Sequence, residues 1–178
     1  GLLRSTVPKE YGGLGLDSHT YIQMIERLAR GCASTAMTTN MHCVVLRLVA
    51  ALGTPEQKAT IYADVVERGA RVGSWGSEPD VRPSTGARLT TVSPVDGGFI
   101  VNGRKHFGTM ARAASRYMVH CTLTPLPQDA GQDGYQLVLV PDGSKGLTIS
   151  GEWDPMGMRA TVSPASKFED CFVDGTAL

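Results

Sequence analysis

The sequence has no net charge to offer a polyanion: 17 Lys and Arg stand against 17 Asp and Glu in 178 residues. A phosphate-backbone partner is therefore not expected, since nucleic-acid binders usually carry a clear basic excess. No uninterrupted apolar run approaches the roughly 20 residues that span a bilayer. The longest, from Val44 to Leu52, is broken by Arg47, so no membrane association is expected. No secretory signal opens the chain. The cysteines, Cys32, Cys43, Cys121 and Cys171, never fall at CxxC spacing, and His19, His42, His106 and His120 are equally scattered. That spacing predicts no metal site and four free, mostly buried thiols in a reducing cytoplasm. Also missing are a GxGxxG or Walker loop after a strand, a GxSxG elbow, internal repeats and low-complexity tracts. The residues by themselves form no self-contained acid–base or nucleophilic constellation.

What is present divides near Gly69. Residues 18–68 read as three helices. Ser18 is a candidate N-cap. Tyr21, Met24, Ile25, Leu28 and Ala29 then form one apolar stripe, which Gly31 can close by taking positive φ. A second helix is expected from about Ser34 to Leu52, stopped by Gly53. Thr54-Pro55-Glu56-Gln57 gives the third start, a capping Thr with Pro at the first helical position and Gln three residues on. Ile61, Tyr62, Val65 and Val66 are its expected buried face, and Gly69 its end.

After Gly69 short β-rich runs alternate with turns. The expected strands are 71–76, 86–93, 98–102, 105–109, 116–123, 135–140, 146–151 and 166–173. Asp96-Gly97-Gly98 and Asn102-Gly103 read as hairpin turns, and Pro125 to Gly134 as a surface loop. Helices followed by strands predict an α+β chain, with a helical domain over residues 1–69 and a β-domain over 70–178.

Three punctuated segments stand out: Gly73 to Pro79, Asn102 to Thr109, and Gly157 to Thr161. Small and hydroxyl residues at strand ends let a flat ligand approach the backbone closely. Ordinary turn chemistry in a β-domain accounts for them equally well.

Taken in order, these segments resemble the acyl-CoA dehydrogenases. Pro8-Lys9-Glu10-Tyr11-Gly12-Gly13-Leu14-Gly15 looks like the family's "PEEYGGLG" loop, and Gly53-Thr54-Pro55-Glu56-Gln57-Lys58 like its "GTEEQK" helix start. Ser77-Glu78-Pro79 looks like its "TEP", and Val101 to Thr109 like "LNGxKxWIT". Gly157-Met158-Arg159-Ala160-Thr161 with Phe168 to Val173 looks like "GxRxxT…FxDVxVP".

The resemblance implies a helical N-terminal domain, a middle β-barrel and a C-terminal four-helix bundle that this chain does not contain. It implies flavin adenine dinucleotide between barrel and bundle, acyl-CoA as substrate, a homo-oligomeric intact protein, and α,β-dehydrogenation with a hydride passed to the flavin. The bundle of the family supplies the catalytic base, so no catalytic residue is assigned here. Matched position by position, Ser77 stands for the Thr at the flavin pyrimidine, preceded by Trp75 and Gly76. Phe107 stands for the Trp packed on the flavin ring, and Thr109 for the Thr near its reactive nitrogen.

Two departures qualify this. The family's "GSD" after "TEP" is missing, leaving Ser84, Thr85 or Gly86 to replace its contacts. His106-Phe107-Gly108-Thr109 is similar instead to a branch of flavin-dependent monooxygenases, which implies FMN and oxygen chemistry on the same fold. A non-catalytic binding or assembly module is a third reading. Single residues are assigned mainly structural roles: His42 as a satisfied core histidine, Trp153 as packing, Arg159 as a turn anchor or phosphate contact, and Glu78 and Asp80 as structural acids. Lys105 and Phe107 are expected on one face of a strand and His106 on the other.

Overall fold

The structure, a computed structural model, describes residues 1–79, 88–125 and 134–177. Asp80, Ser84, Thr85 and Gly86 lie outside these residues, as does most of the loop expected at 125–134.

The helices are α1 (Ser18–Gly31), α2 (Ala33–Leu52) and α3 (Pro55–Arg68). Asp17, not Ser18, caps α1, its carboxylate accepting from Thr20 N at 2.9 Å. Gly31 stays inside the helix, and extended backbone at Cys32 (φ −157°) ends it. The capping box at Thr54 and Gln57 is complete, Pro55 opens α3, and Gly69 closes it at φ 66°. By length and composition α2 would also pass for a bilayer-spanning helix, although Arg47 interrupts its apolar run. A core helix passes the same test, and α2 buries Ala36, His42, Cys43, Val45, Leu46 and Val49.

The strands are β1 (Val72–Trp75), β2 (Thr91–Val95), β3 (Gly98–Lys105), β4 (Arg116–Leu123), β5 (Tyr135–Pro141), β6 (Leu147–Ser150) and β7 (Ala165–Asp174). They form one mixed, curled sheet in the order β1-β4-β2-β3-β7-β6, with β5 on β4. One edge of β4 pairs antiparallel with β5. The other pairs parallel with β1 over Arg116–Val119 and with β2 at Thr122 and Leu123. Alternation along β4 then divides two cores. Tyr117, Val119 and Cys121 point into the curl with Trp75, Val138, Val140 and Phe168. Met118 points out to meet Val45, Val49, Ile61, Tyr62 and Val65 of the helices, with Val72 and Leu139.

Two expectations about the strands are corrected. Asp96-Gly97 does turn between β2 and β3. Asn102-Gly103 does not; it forms a bulge within β3, opposite β7. Gly103 takes φ 146°, and a Cβ there would lie 2.6 Å from Thr90 Cα. The Asn102 amide is spent across the sheet, giving a hydrogen to Asp170 Oδ1 and taking one from Asp170 N. The expected strand at 105–109 does not form either. β3 ends at Lys105, and Phe107 (φ 54°) and Met110 (φ 62°) turn the chain out of extended geometry.

His42 ties α2 to the N-terminal segment and to β1. Its Nε2 lies 2.7 Å from Leu3 O, to which it donates, and its Nδ1 accepts from Val72 N at 3.1 Å. Burial holds its pKa below the usual histidine value, so the neutral ring is the form that fits both bonds. All four cysteines are free; Cys43, Cys121 and Cys171 are buried and Cys32 is exposed.

Candidate functional site

Three loops converge at one end of the curled sheet. The first follows β1. Trp75 itself is wholly buried, stacked on Tyr117 with ring centroids 3.8 Å apart, and its Nε1 donates to Thr109 O at 3.2 Å. Its indole is therefore a core group, and only its backbone borders the site. Gly76 lies over His120, whose ring would meet a Cβ at 3.4 Å. Ser77 is exposed.

The second loop carries His106 to Ala111. His106 N donates to Ser77 O at 2.8 Å, joining it to the first. The third carries Met158 to Pro164. Gly108 N donates to Pro164 O, Met110 N to Thr161 O and Ala111 N to Val162 O, at 3.2, 3.0 and 3.2 Å. Four non-glycine residues on these facing loops take positive φ: Phe107, Met110, Met158 and Val162. Such backbone is costly for a branched side chain like that of Val162 and clusters at functional sites.

The expected neighbours separate. Lys105 and Phe107 do not share a face: Lys105 is wholly buried, whereas Phe107 is 62% exposed, because the chain leaves the strand between them. The Phe107 ring stands edge-to-face with His106 and with Trp153, at centroid distances of 6.0 and 6.1 Å. Thr109 is buried, and its Oγ1 accepts from Ser163 Oγ at 3.2 Å. Arg159 anchors its own turn, Nε to Asp154 Oδ1 at 2.8 Å.

Beneath the loops lies a feature that sequence reasoning missed. Lys105 Nζ is 2.6 Å from Glu78 Oε1, and both side chains are sealed from solvent. Glu78 also accepts from Leu89 N and Thr90 N, each at 2.8 Å, and Lys105 donates to His120 O. Burial alone would raise the Glu78 pKa; these donors outweigh it and hold the carboxyl below its usual range. The pair fastens the end of β3 to the segment after β1. Both residues lie in the quoted motifs, but nothing in the sequence pairs them across 27 positions. Beside them, His120 bonds Ser74 Oγ through Nε2 and the Tyr135 hydroxyl through Nδ1. Burial, then the Lys105 and Arg88 charges, pushes its pKa down to about 4.

Three features suit a flat, polar-edged ring system. Phe107 offers an exposed aromatic face. The exposed Ser77 hydroxyl has no partner among the described residues, and no described residue accepts the Thr109 hydroxyl proton. On the helical side, an open hollow of about 380 Å³ runs between Ile25, Ala29, Ala36, Met37, Asn40 and Met158, reaching the third loop.

The fold and these loops define a known class. The family description "Acyl-CoA dehydrogenase, N-terminal domain" matches residues 1–68 and "Acyl-CoA dehydrogenase, middle domain" matches residues 73–171. The chain belongs to the acyl-CoA dehydrogenase family. It is similar to the human mitochondrial short-chain specific acyl-CoA dehydrogenase, 32% identical over 96% of this chain and 41% of that protein. It is similar also to dibenzothiophene monooxygenase of Rhodococcus qingshengii, 27% identical over 98% of this chain and 41% of that one. Among solved structures, TdsC of Paenibacillus sp. A11-2 with FMN and indole superposes with a TM-score of 0.85 at 30% identity, over 99% of this chain and 43% of that one. An acyl-CoA dehydrogenase of Geobacillus kaustophilus gives 0.86 at 25%, over 98% and 46%. The chain thus spans about two-fifths of the length of the curated relatives it matches.

Proposed function

We propose that the converging loops form one wall of a flavin site and that the intact protein is a flavin-dependent oxidoreductase. The observation that carries this reading is the Thr109 hydroxyl: held by Ser163 as an acceptor, it keeps a proton that no described residue takes. Such a donor stabilises negative charge developing on a nitrogen that accepts hydride. Ser77 supplies a hydroxyl for the pyrimidine edge, Phe107 an aromatic face, and Trp75 and Gly76 the backbone leading to it. The helical domain, residues 1–69, and the β-domain, residues 70–178, hold this wall together. Bound there, FAD would supply the two-electron acceptor for the β-hydrogen of an acyl thioester. The finer reading is α,β-dehydrogenation of an acyl-CoA by a homo-oligomer. Likeness to the human short-chain enzyme supports it, as does the apolar hollow at Ile25 and Met37. No catalytic base is assigned to this chain.

One observation favours a second reading. Phe107-Gly108-Thr109 departs from the dehydrogenase pattern in the direction of the monooxygenase branch, and the likeness to TdsC agrees with it. On that reading FMN replaces FAD, and oxygen rather than the substrate meets the reduced ring.

A spectrum separates the two. Intact protein loaded with FAD and mixed anaerobically with short acyl-CoAs is expected to lose its yellow colour. No bleaching with any acyl-CoA, together with oxygenation of an aromatic or sulfur compound when a flavin reductase is added, overturns dehydrogenation in favour of the second reading. Failure to bind either flavin overturns both.

A further inference from the structure

Met158 O is a crowded acceptor. Trp153 Nε1, Thr161 N and Thr161 Oγ1 lie 3.2, 3.1 and 2.9 Å from it. A carbonyl oxygen has two lone pairs. The indole and backbone N–H groups are fixed in direction, whereas a hydroxyl proton can rotate. The Thr161 hydroxyl also has a second neighbour, Ser163 Oγ at 2.8 Å. The Thr161 hydroxyl donates to Met158 O, and its contact with Ser163 Oγ admits either donor. Ser163 gives its single proton to Thr109 Oγ1, 3.2 Å away. Thr109 is thereby an acceptor on the inside, and its own proton faces outward.

We propose that Ser163, packed against Thr161, is a positioning residue whose hydroxyl fixes Thr109 as a donor toward the flavin. This rests on the reading of Thr109 as a flavin contact. The opposite order, with Thr109 donating inward to Ser163, would leave nothing for a ligand, but Ser163 is the donor to Thr109 Oγ1. The arrangement is well placed to hold one direction, since Thr161 and Ser163 are 3% and 4% exposed. The clamp of Met110 N on Thr161 O and Ala111 N on Val162 O fixes the spacing between the loops.

The experiment is a double-mutant cycle on the intact flavoprotein, read by flavin dissociation constant and by the visible spectrum of the bound oxidised flavin. Thr109→Val is expected to weaken flavin binding about tenfold and shift the spectrum, the size of one hydrogen bond to a partly charged acceptor. Ser163→Ala is expected to shift the spectrum the same way and weaken binding about threefold to tenfold, with Ser163→Thr restoring both. In the Thr109→Val background Ser163→Ala is expected to add nothing. An equal Ser163→Ala effect in both backgrounds, or none when Thr109→Val has a clear one, overturns the positioning role while leaving Thr109 in the site. A silent Thr109→Val overturns the flavin reading of Thr109 and the positioning role with it. If Ser163→Ala does not fold, Ser163→Cys puts a weaker donor at the same place, and its additivity with Thr109→Val decides the question.

Discussion

The indole of Trp75 occupies the space that a side chain at position 108 would need. A Cβ on Gly108 would lie 3.0 and 3.1 Å from the Trp75 ring and 3.3 Å from Pro164 O. Where the related pattern carries a bulky Ile, this chain has glycine, and the volume is supplied from below by a tryptophan stacked on Tyr117.

Gly108→Ala is therefore expected to destabilise the intact protein by about 1–3 kcal/mol, the usual cost of overpacking a filled core. Trp75→Phe should recover part of it, because the smaller ring retreats from the new methyl. Urea denaturation of both single variants and the double variant measures the coupling. Simple additivity would separate the two positions.

Glu78→Gln leaves the Lys105 ammonium buried without its counter-charge. Breaking one partner of a buried pair costs roughly 3–5 kcal/mol, so the denaturation midpoint should fall steeply. The pH dependence follows from the depressed Glu78 pKa. A carboxylate whose folded pKa lies below its unfolded value of about 4.3 contributes fully above that value and loses its contribution as pH falls through the folded one. Wild-type protein should thus lose stability below about pH 4 in a step that Glu78→Gln lacks.

Two histidines act at a higher pH. His42 and His120 are both held below the ordinary 6.5, His120 at about 4. Their neutral forms belong to the fold, so the stability they contribute is complete above pH 6.5 and is lost as pH falls toward the folded values. Denaturation midpoints taken from pH 7 to pH 4.5 should slope downward with acid. His120→Asn should flatten that slope, and an unchanged slope would remove His120 from it.

Gly103→Ala should be among the most damaging single-methyl additions to the sheet. The obstacle at 2.6 Å is the Thr90 backbone rather than a flexible side-chain end, and φ 146° is strained for any L residue. A loss above about 3 kcal/mol is expected, in the range kept for strain at special backbone positions. Thermal unfolding of the variant checks it.

Much of the fold was legible because its local signals were redundant. Thr54, Pro55 and Gln57 specify one helix start three times over, and the alternation at 116–123 predicts β4 with its bounds. The errors came where one residue type serves two geometries. Asp17 and Ser18 can both cap a helix, and backbone angles chose Asp17. Asn102-Gly103 can turn a hairpin or bulge a strand, and pairing with β7 chose the bulge. Period-two patterning carried a strand through Phe107, but nothing in composition announces its φ of 54°. At the candidate site, the resemblance pointed to Ser77, Phe107 and Thr109 as expectations, yet it passed over Ser163, and Trp153 was read only as packing. Their contribution lies in which hydroxyl faces which carbonyl, and spacing along the chain does not encode that.

The three-sided pairing of β4 also bears on the order of assembly. The helices can form from neighbours in sequence, with the capped α3 directly following α2. β4 must wait for β1, some 44 positions upstream, on one edge and for β5 on the other before its backbone is satisfied. Contacts so distant carry the loop-closure entropy that slows folding. Until both partners arrive, the edges of β4 are bare. In that interval, before β4 is enclosed, the protein is most open to pairing with a second copy of itself.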